Sequence, residues 1–260
     1  MRVAFYNQMF GTSGRSLTEF LHVHLLHGLQ KYHLIENIAD VSKTIKTVKE
    51  SNSDIIGISE IVGIKQRESI IKQLTDIGYK YFHTGIGHGL GNKYGGHVES
   101  IVASKEQSEC FYSPIFFTPN RSGFGGGIIG IFLPLKNLYI MQVHMPLARI
   151  YRRTHSSFKK QLKTVMNKIE DMIEKDPKIK MIMMGDFNMD FKHLCKIDKR
   201  FNRYFTKISA MGATCTFVPF IKHFYQKDID HVLGYNQSSI DKGFIEGESD
   251  HRLVWVDVEG

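Results

Sequence analysis

Short apolar runs of strand length recur along the whole chain, separated by stretches whose apolar residues return every three or four positions. RVAFY at 2–6 and DIIGIS at 54–59 predict the first two strands. Further strand-length runs lie at 79–83, 98–104, 110–117, 127–133, 138–143, 179–184, 229–233 and 252–258. Ile38, Val41, Ile45 and Val48 share one face of a helix, and another helix is expected across 65–77. Phe158, Leu162, Val165, Ile169 and Ile173 form the stripe of a long helix. Thr154 can cap its start, and Asp176-Pro177 closes it, since the residue before proline resists helix. A last helix is expected near 198–211. Strands mixed with helices, with no repeat and no low-complexity linker, predict α/β layers in a single domain over 1–260.

The polar residues that end these runs change the picture. MIMMGDFNMD, 181–190, is an apolar run that stops in Gly185, Asp186, Phe187 and Asn188. RVAFY stops at Asn7, DIIGIS at Glu60 and LYIMQV at His144. DIDHVL sets Asp230 early in an apolar strand, and Asp250-His251 stand just before the final one. Each has a plain reading: a turn, a helix cap, a core histidine, a solvated loop. Together they place two histidines, four carboxylates and two amides at strand ends, where open α/β sheets bind ligands. Two carboxylates about 4 Å apart repel by roughly 4 kcal/mol at an effective dielectric near 20. A hard divalent cation removes that penalty, and oxygen ligands suit Mg²⁺ or Mn²⁺ better than zinc.

Composition adds a charge preference. The formal charge of +8 and pI near 9.2 favour polyanionic partners such as nucleic acid or an acidic membrane surface, or reflect a generic basic surface. No run reaches the roughly 18 to 20 apolar residues of a membrane span, and MRVAFYNQ is too short an apolar start for a signal peptide. Cys110, Cys195 and Cys215, odd in number and far apart, suit a reducing compartment, so the expected location is cytoplasmic. The glycine-rich stretches 85–96 and 123–127 match no phosphate-loop spacing and are expected as surface loops.

FYN at 5–7, DIIGISE at 54–60, VHMP at 143–146, GDFN at 185–188, IDHVL at 229–233 and SDH at 249–251 occur in an order that resembles the endonuclease/exonuclease/phosphatase superfamily, whose fold is that of deoxyribonuclease I. The resemblance implies a four-layer α/β sandwich of two packed mixed β-sheets flanked by helices. It implies a divalent-metal-dependent phosphodiesterase, most simply a nuclease attacking DNA or RNA with an activated water. Glu60 resembles the principal metal-binding glutamate, with Asn7 and Asp250 completing the surroundings of a Mg²⁺ or Mn²⁺ ion. Asp186 matches the residue that orients or deprotonates the water, and Asn188 the amide that holds a phosphate oxygen. His251 resembles the histidine bound to the scissile phosphate, with Asp230 orienting it, and His144 matches the second histidine. Asp230 beside His251 would favour the imidazolium form by Coulomb attraction.

The departures point to a branch. Ser59 stands where the superfamily usually has Gln, and the IVGIK segment after Glu60 lacks the early basic residue of abasic-site endonucleases, which also carry a tyrosine in place of His144. Arg149, Arg152 and Arg153 follow the His144 strand and are placed to bind phosphates, or are solvated residues before a helix. Lys93-Tyr94 could touch a nucleic-acid backbone. The alternative substrate is a phospholipid, inositol phosphate or other small phosphoester. A lipid-active branch should show an exposed apolar loop, for which SPIFFTP at 113–119 is a candidate, although its apolar run between two prolines reads first as a core strand. A non-catalytic scaffold should have lost site residues, and none is missing.

Overall fold

The computed structural model describes residues 1–12, 17–29, 31–86, 98–112, 127–145, 152–212, 214–216 and 226–259. In chain order the strands are β1 (Arg2–Asn7), β2 (Ile55–Val62), β3 (Tyr81–Ile86), β4 (Val98–Ser104), β5 (Glu109–Tyr112), β6 (Gly127–Leu133) and β7 (Leu138–His144). They continue with β8 (Lys180–Asp186), β9 (Thr206–Lys207), β10 (Cys215–Thr216), β11 (Gln226–Lys227), β12 (Asp230–Tyr235), β13 (Ser239–Ile245) and β14 (Leu253–Val258). The helices are α1 (Leu17–Gly28), α2 (Tyr32–Ile38), α3 (Val41–Ser51), α4 (Gly63–Asp76), α5 (Arg152–Lys175), α6 (Phe191–Ile197) and α7 (Arg200–Tyr204).

Two six-stranded mixed sheets pack face to face. Their orders are β13-β14-β1-β2-β4-β3 and β5-β6-β7-β8-β12-β9, and β10-β11 form a separate ribbon. Each large sheet has one parallel pair at its centre, β1 with β2 and β7 with β8, flanked by antiparallel strands. Alternation along the strands builds the layers. Val3, Phe5, Ile182, Met184, Val254 and Val256 fill the space between the sheets. Met181 and Met183 point the other way, onto Phe158, Leu162, Val165, Ile169 and Ile173 of α5. Ala4, Tyr6, Ile56 and Ile58 meet Val41, Ile45 and Val48 of α3 and Ile70 and Leu74 of α4. The uninterrupted MIMM run therefore belongs to a strand covered on both faces. This is the four-layer sandwich expected.

Several local expectations shift. The apolar face through Ile38, Val41, Ile45 and Val48 is carried by two helices, because the Asp40 side chain accepts from Ser42 N and starts α3 afresh. The helix expected near 198–211 is instead the five-residue α7 followed by β9: Asp198 accepts from the N–H of Arg200, and the chain turns extended at Phe205. α5 begins at Arg152, so Thr154 lies inside it and not at its cap. α1 and β13 have no clean apolar stripe to betray them; Leu21 and Leu25 of α1 are exposed while Val23 and Leu26 are buried. Lys93-Tyr94, segment 113–119 and the glycine cluster at 123–126 lie outside the described residues. No helix among the described residues is long and apolar enough to cross a membrane.

Candidate active site

Two parallel strand pairs deliver four of the expected side chains, Asn7, Glu60, His144 and Asp186, to one rim. Asn7 ends β1 beside Ser59 of β2, and His144 ends β7 directly beside Asp186 at the end of β8. Antiparallel β12 then enters with Asp230 opposite Asp186. Parallel pairing opens the two carboxyl ends of each pair together. The contacts of Asn7 with Asp186 and of Glu60 with His144 show that both pairs open on one rim, where residues from distant stretches converge.

Glu60 does not end its strand. It sits inside β2, where pairing with β4 slips between Ile58 and Ile61, and its φ is +60°. A non-glycine residue in that region costs on the order of 1–3 kcal/mol, and persists only when its surroundings over-determine it. The bulge turns the carboxylate toward the rim while Ile58 and Ile61 stay fully buried. Gly185 is a second local device. Its φ is +151°, and a Cβ there would stand 1.8 Å from the carbonyl oxygen of Val143. Only glycine lets β8 approach β7 closely enough to seat Asp186 next to His144.

Asp186 is the centre of the arrangement. Its Oδ2 accepts from Asn7 Nδ2 at 3.0 Å, and that same nitrogen donates to Glu60 Oε1 at 3.1 Å. Oδ2 also lies 4.0 Å from His144 Nε2 and 4.0 Å from His251 Nε2. The other oxygen, Oδ1, accepts from the backbone N–H of Asn188 at 2.6 Å. Asn188 has φ of +50° and donates one amide proton to the Met145 carbonyl at 2.6 Å, tying the ends of β7 and β8 together. His144 Nε2 is 3.6 Å from Glu60 Oε1. His251 Nδ1 pairs with Asp230 Oδ2 at 2.7 Å, and its Nε2 lies 3.9 Å from Asp250 Oδ1. Asp230 is fully buried and its Oδ1 has no hydrogen-bond partner among the described residues, which leaves Oδ2 and its bond to His251 as the carboxylate's side-chain contact in the site.

Two overlapping groups, Glu60–His144–Asp186 and Asp186–Asp230–His251, each bring their ligand atoms within 4.8 Å of one another. Burial and mutual repulsion leave marks on their protonation. Burial and the nearby Asp250 push Glu60 up to about 7. Burial and Asp230 push Asp186 up to about 8. Burial and the charge of His251 push His144 down to about 4, so its ring is neutral near pH 7. A site that would rather hold protons than its own carboxylate charges is one that a cation relieves. The oxygen-rich donor set, with a neutral imidazole and no thiol, fits a hard divalent ion.

No family model matches the chain, and no curated protein sequence does either. Solved structures do. An endonuclease/exonuclease/phosphatase protein from Beutenbergia cavernae is 12% identical, with a TM-score of 0.74 over 100% of this chain and 71% of that one. D. rerio TDP2, solved in complex with a single-strand DNA product, is 13% identical, with a TM-score of 0.65 over 100% of this chain and 99% of that one. The fold is that of the endonuclease/exonuclease/phosphatase proteins. A mannosyl-6-phosphatase from Bacteroides thetaiotaomicron shares it at 17% identity, with a TM-score of 0.59 and full coverage of both chains.

Within this endonuclease/exonuclease/phosphatase fold, the structure brings together Asn7, Glu60, His144, Asp186, Asn188, Asp230, Asp250 and His251. Arg149 lies outside the described residues; Arg152 and Arg153 open α5, with side chains outside them. Three supporting residues escaped the sequence reading. Ser249 Oγ donates to the Asn7 carbonyl at 2.7 Å and accepts from His251 N at 3.0 Å, fixing the SDH turn against β1. Gln8 and Gln66 are both buried beside Glu60. A readable signal existed for Gln66, which falls on the same helical stripe as Ile70 and Leu74, a polar residue where a core residue belongs. Ser59, in the place of the usual Gln, is fully buried, and its Oγ has no hydrogen-bond partner among the described residues.

Proposed function

We propose that this protein is a divalent-metal-dependent phosphodiesterase, with nucleic acid as its leading substrate. The observation that carries the reading is the single carboxylate, Asp186, shared between a Glu60–His144 group on one side and an Asp230–His251 pair on the other. In this reading Asn7, Glu60 and Asp250 hold a Mg²⁺ or Mn²⁺ ion. Bound there, the ion would offset charge on the phosphoryl oxygens and on the departing alkoxide.

The chain's own residues supply the rest. Asp230 takes the Nδ1 proton of His251 in its hydrogen bond, which aims Nε2 into the site as a donor to a phosphoryl oxygen. Asp186, held by Asn7 and Asn188, orients the attacking water and accepts its proton. His144, neutral near pH 7, contributes a hydrogen bond to a second phosphoryl oxygen without adding charge. The remaining amide proton of Asn188 points to the same role. Arg149, Arg152 and Arg153 are the proposed contacts to flanking phosphates.

The net charge of +8 and the DNA-bound state of a structural neighbour support a polynucleotide. A second reading, a phospholipid or other small phosphoester, draws on the mannosyl-6-phosphatase neighbour and on exposed apolar side chains near the Glu60 end of the molecule: Leu21, Leu25, Leu29, Leu34, Ile38 and Ile64. Plasmid DNA, RNA, an inositol phosphate, a sugar phosphate and phospholipid vesicles, each assayed with Mg²⁺, with Mn²⁺ and with chelator, separate the readings. Metal-dependent nicking of the plasmid or cleavage of the RNA is expected. Turnover of the small or lipid esters alone would transfer the site to the second reading, and no turnover of any would remove the phosphoesterase proposal.

A further inference from the structure

The strained bulge that carries Glu60 needs hydrogen-bond partners that its strand neighbour cannot offer, and two buried amides provide them. Gln8 follows Asn7 directly; its backbone N–H donates to the Ser59 carbonyl at 3.3 Å and its Nε2 to the Glu60 carbonyl at 3.2 Å. Gln66 stands in the first turn of α4. Its Oε1 accepts from Val62 N at 2.6 Å and from Gln8 Nε2 at 3.2 Å, while its own Nε2 donates to the Phe10 carbonyl at 2.7 Å. Thr44 of α3 completes the chain by donating from Oγ1 to Gln8 Oε1 at 2.8 Å.

Every polar atom of the Gln8 side chain is thus engaged, and Thr44 dictates which way the amide faces. Packing leaves these groups no room to drift: a Cβ on Gly11 would come within 2.7 Å of Gln66 Nε2. The network joins the segment after Asn7 to the segment around Glu60, the two stretches expected to grip the cation. We propose that Gln8 and Gln66 are positioning residues that hold the Glu60 backbone in its bulge and so set the carboxylate against Asn7 and the metal. The inference rests on the metal-dependent reading above. A network that only stabilised the fold would lower the melting temperature of the protein and leave the metal affinity of its folded fraction unchanged.

Mn²⁺ titration, followed by the electron paramagnetic resonance of free ion, distinguishes the two. The proteins are wild type, Gln8→Met, Gln66→Met, Thr44→Val and Thr44→Ser, each first shown to be folded by circular dichroism and melting. The two methionine variants keep the side-chain volume and lose the hydrogen bonds; they are expected to bind Mn²⁺ about 10- to 100-fold more weakly. Thr44→Val should show a smaller loss and Thr44→Ser, which retains the hydroxyl, none. Should either methionine variant fail to fold, Thr44→Val, which deletes a single donor, carries the test. Wild-type affinity in the folded variants, or equal losses in Thr44→Val and Thr44→Ser, would overturn the positioning role while leaving the metal site intact. A wild-type protein that takes up no Mn²⁺ would remove the metal-dependent reading, and this role with it.

Discussion

Replacing Glu60 with Gln should make the metal-free protein more stable above neutral pH and cost it the response to metal. The folded chain raises the Glu60 carboxyl from 4.5 to about 7, through burial and the nearby Asp250. A raised acid is neutral in the fold at low pH, so below about 4.5 it contributes no penalty. Between there and about 7 the unfolded chain ionises while the folded chain holds its proton, and stability falls. Above about 7 the full cost is present. A shift of this size corresponds to roughly 3 kcal/mol, an upper bound because part of the Glu60 side chain meets solvent. Glutamine keeps the Oε1 that accepts from Asn7 and removes the charge. For a chain of this length, roughly 2–4 °C per kcal/mol translates the gain into about 6–12 °C of Tm at pH 8.5, shrinking to none near pH 4.5. The assay is a thermal melt of both proteins with chelator across that range. Mg²⁺ at about a thousandfold excess over its Kd should reverse the order, since wild type then gains about 4.1 kcal/mol and the variant gains little. A variant less stable than wild type at pH 8.5 in chelator, or a Tm difference independent of pH, would refute the reasoning.

Other outcomes follow from the same geometry. His251→Ala should reduce turnover by about 10²- to 10⁴-fold with the fold retained, read from steady-state rates beside circular dichroism; near-normal rates would take His251 out of the mechanism. Metal affinity should weaken as pH falls from 8 to 6, by up to roughly tenfold per unit for each proton displaced, because Glu60 and Asp186 must shed protons held up to about 7 and about 8. Calorimetry in buffers of different ionisation enthalpy counts those protons, and a pH-independent Kd would contradict the assignment. Gly185→Ala should lower the urea midpoint by the equivalent of about 3 kcal/mol or more, since the new Cβ meets the Val143 carbonyl; an unchanged midpoint would show that β7 and β8 do not depend on this close approach.

Local period and residue type carry most of the secondary structure here. The strand runs, the α5 stripe and the acids and amides at strand ends are visible in the chain because burial on one or both faces imposes a repeat of two or of 3.6. The eight residues gathered at the rim stand at the ends or starts of apolar runs, where each alone reads equally as a turn, a cap or a core histidine. Their order along the chain, which resembles the superfamily's motifs, is what singles them out, while Arg149, Arg152 and Arg153 have side chains outside the described residues. What the chain alone could not state is which distant ends meet. Asn7 and Asp186 are 179 residues apart and share a hydrogen bond only because two parallel pairs open on one rim. The bulge at Glu60, the close approach at Gly185 and the amide pair Gln8–Gln66 are tertiary decisions. A positive φ, a 1.8 Å collision and a hydrogen bond between helix and turn exist only between segments already brought together, and no periodicity within either segment encodes them.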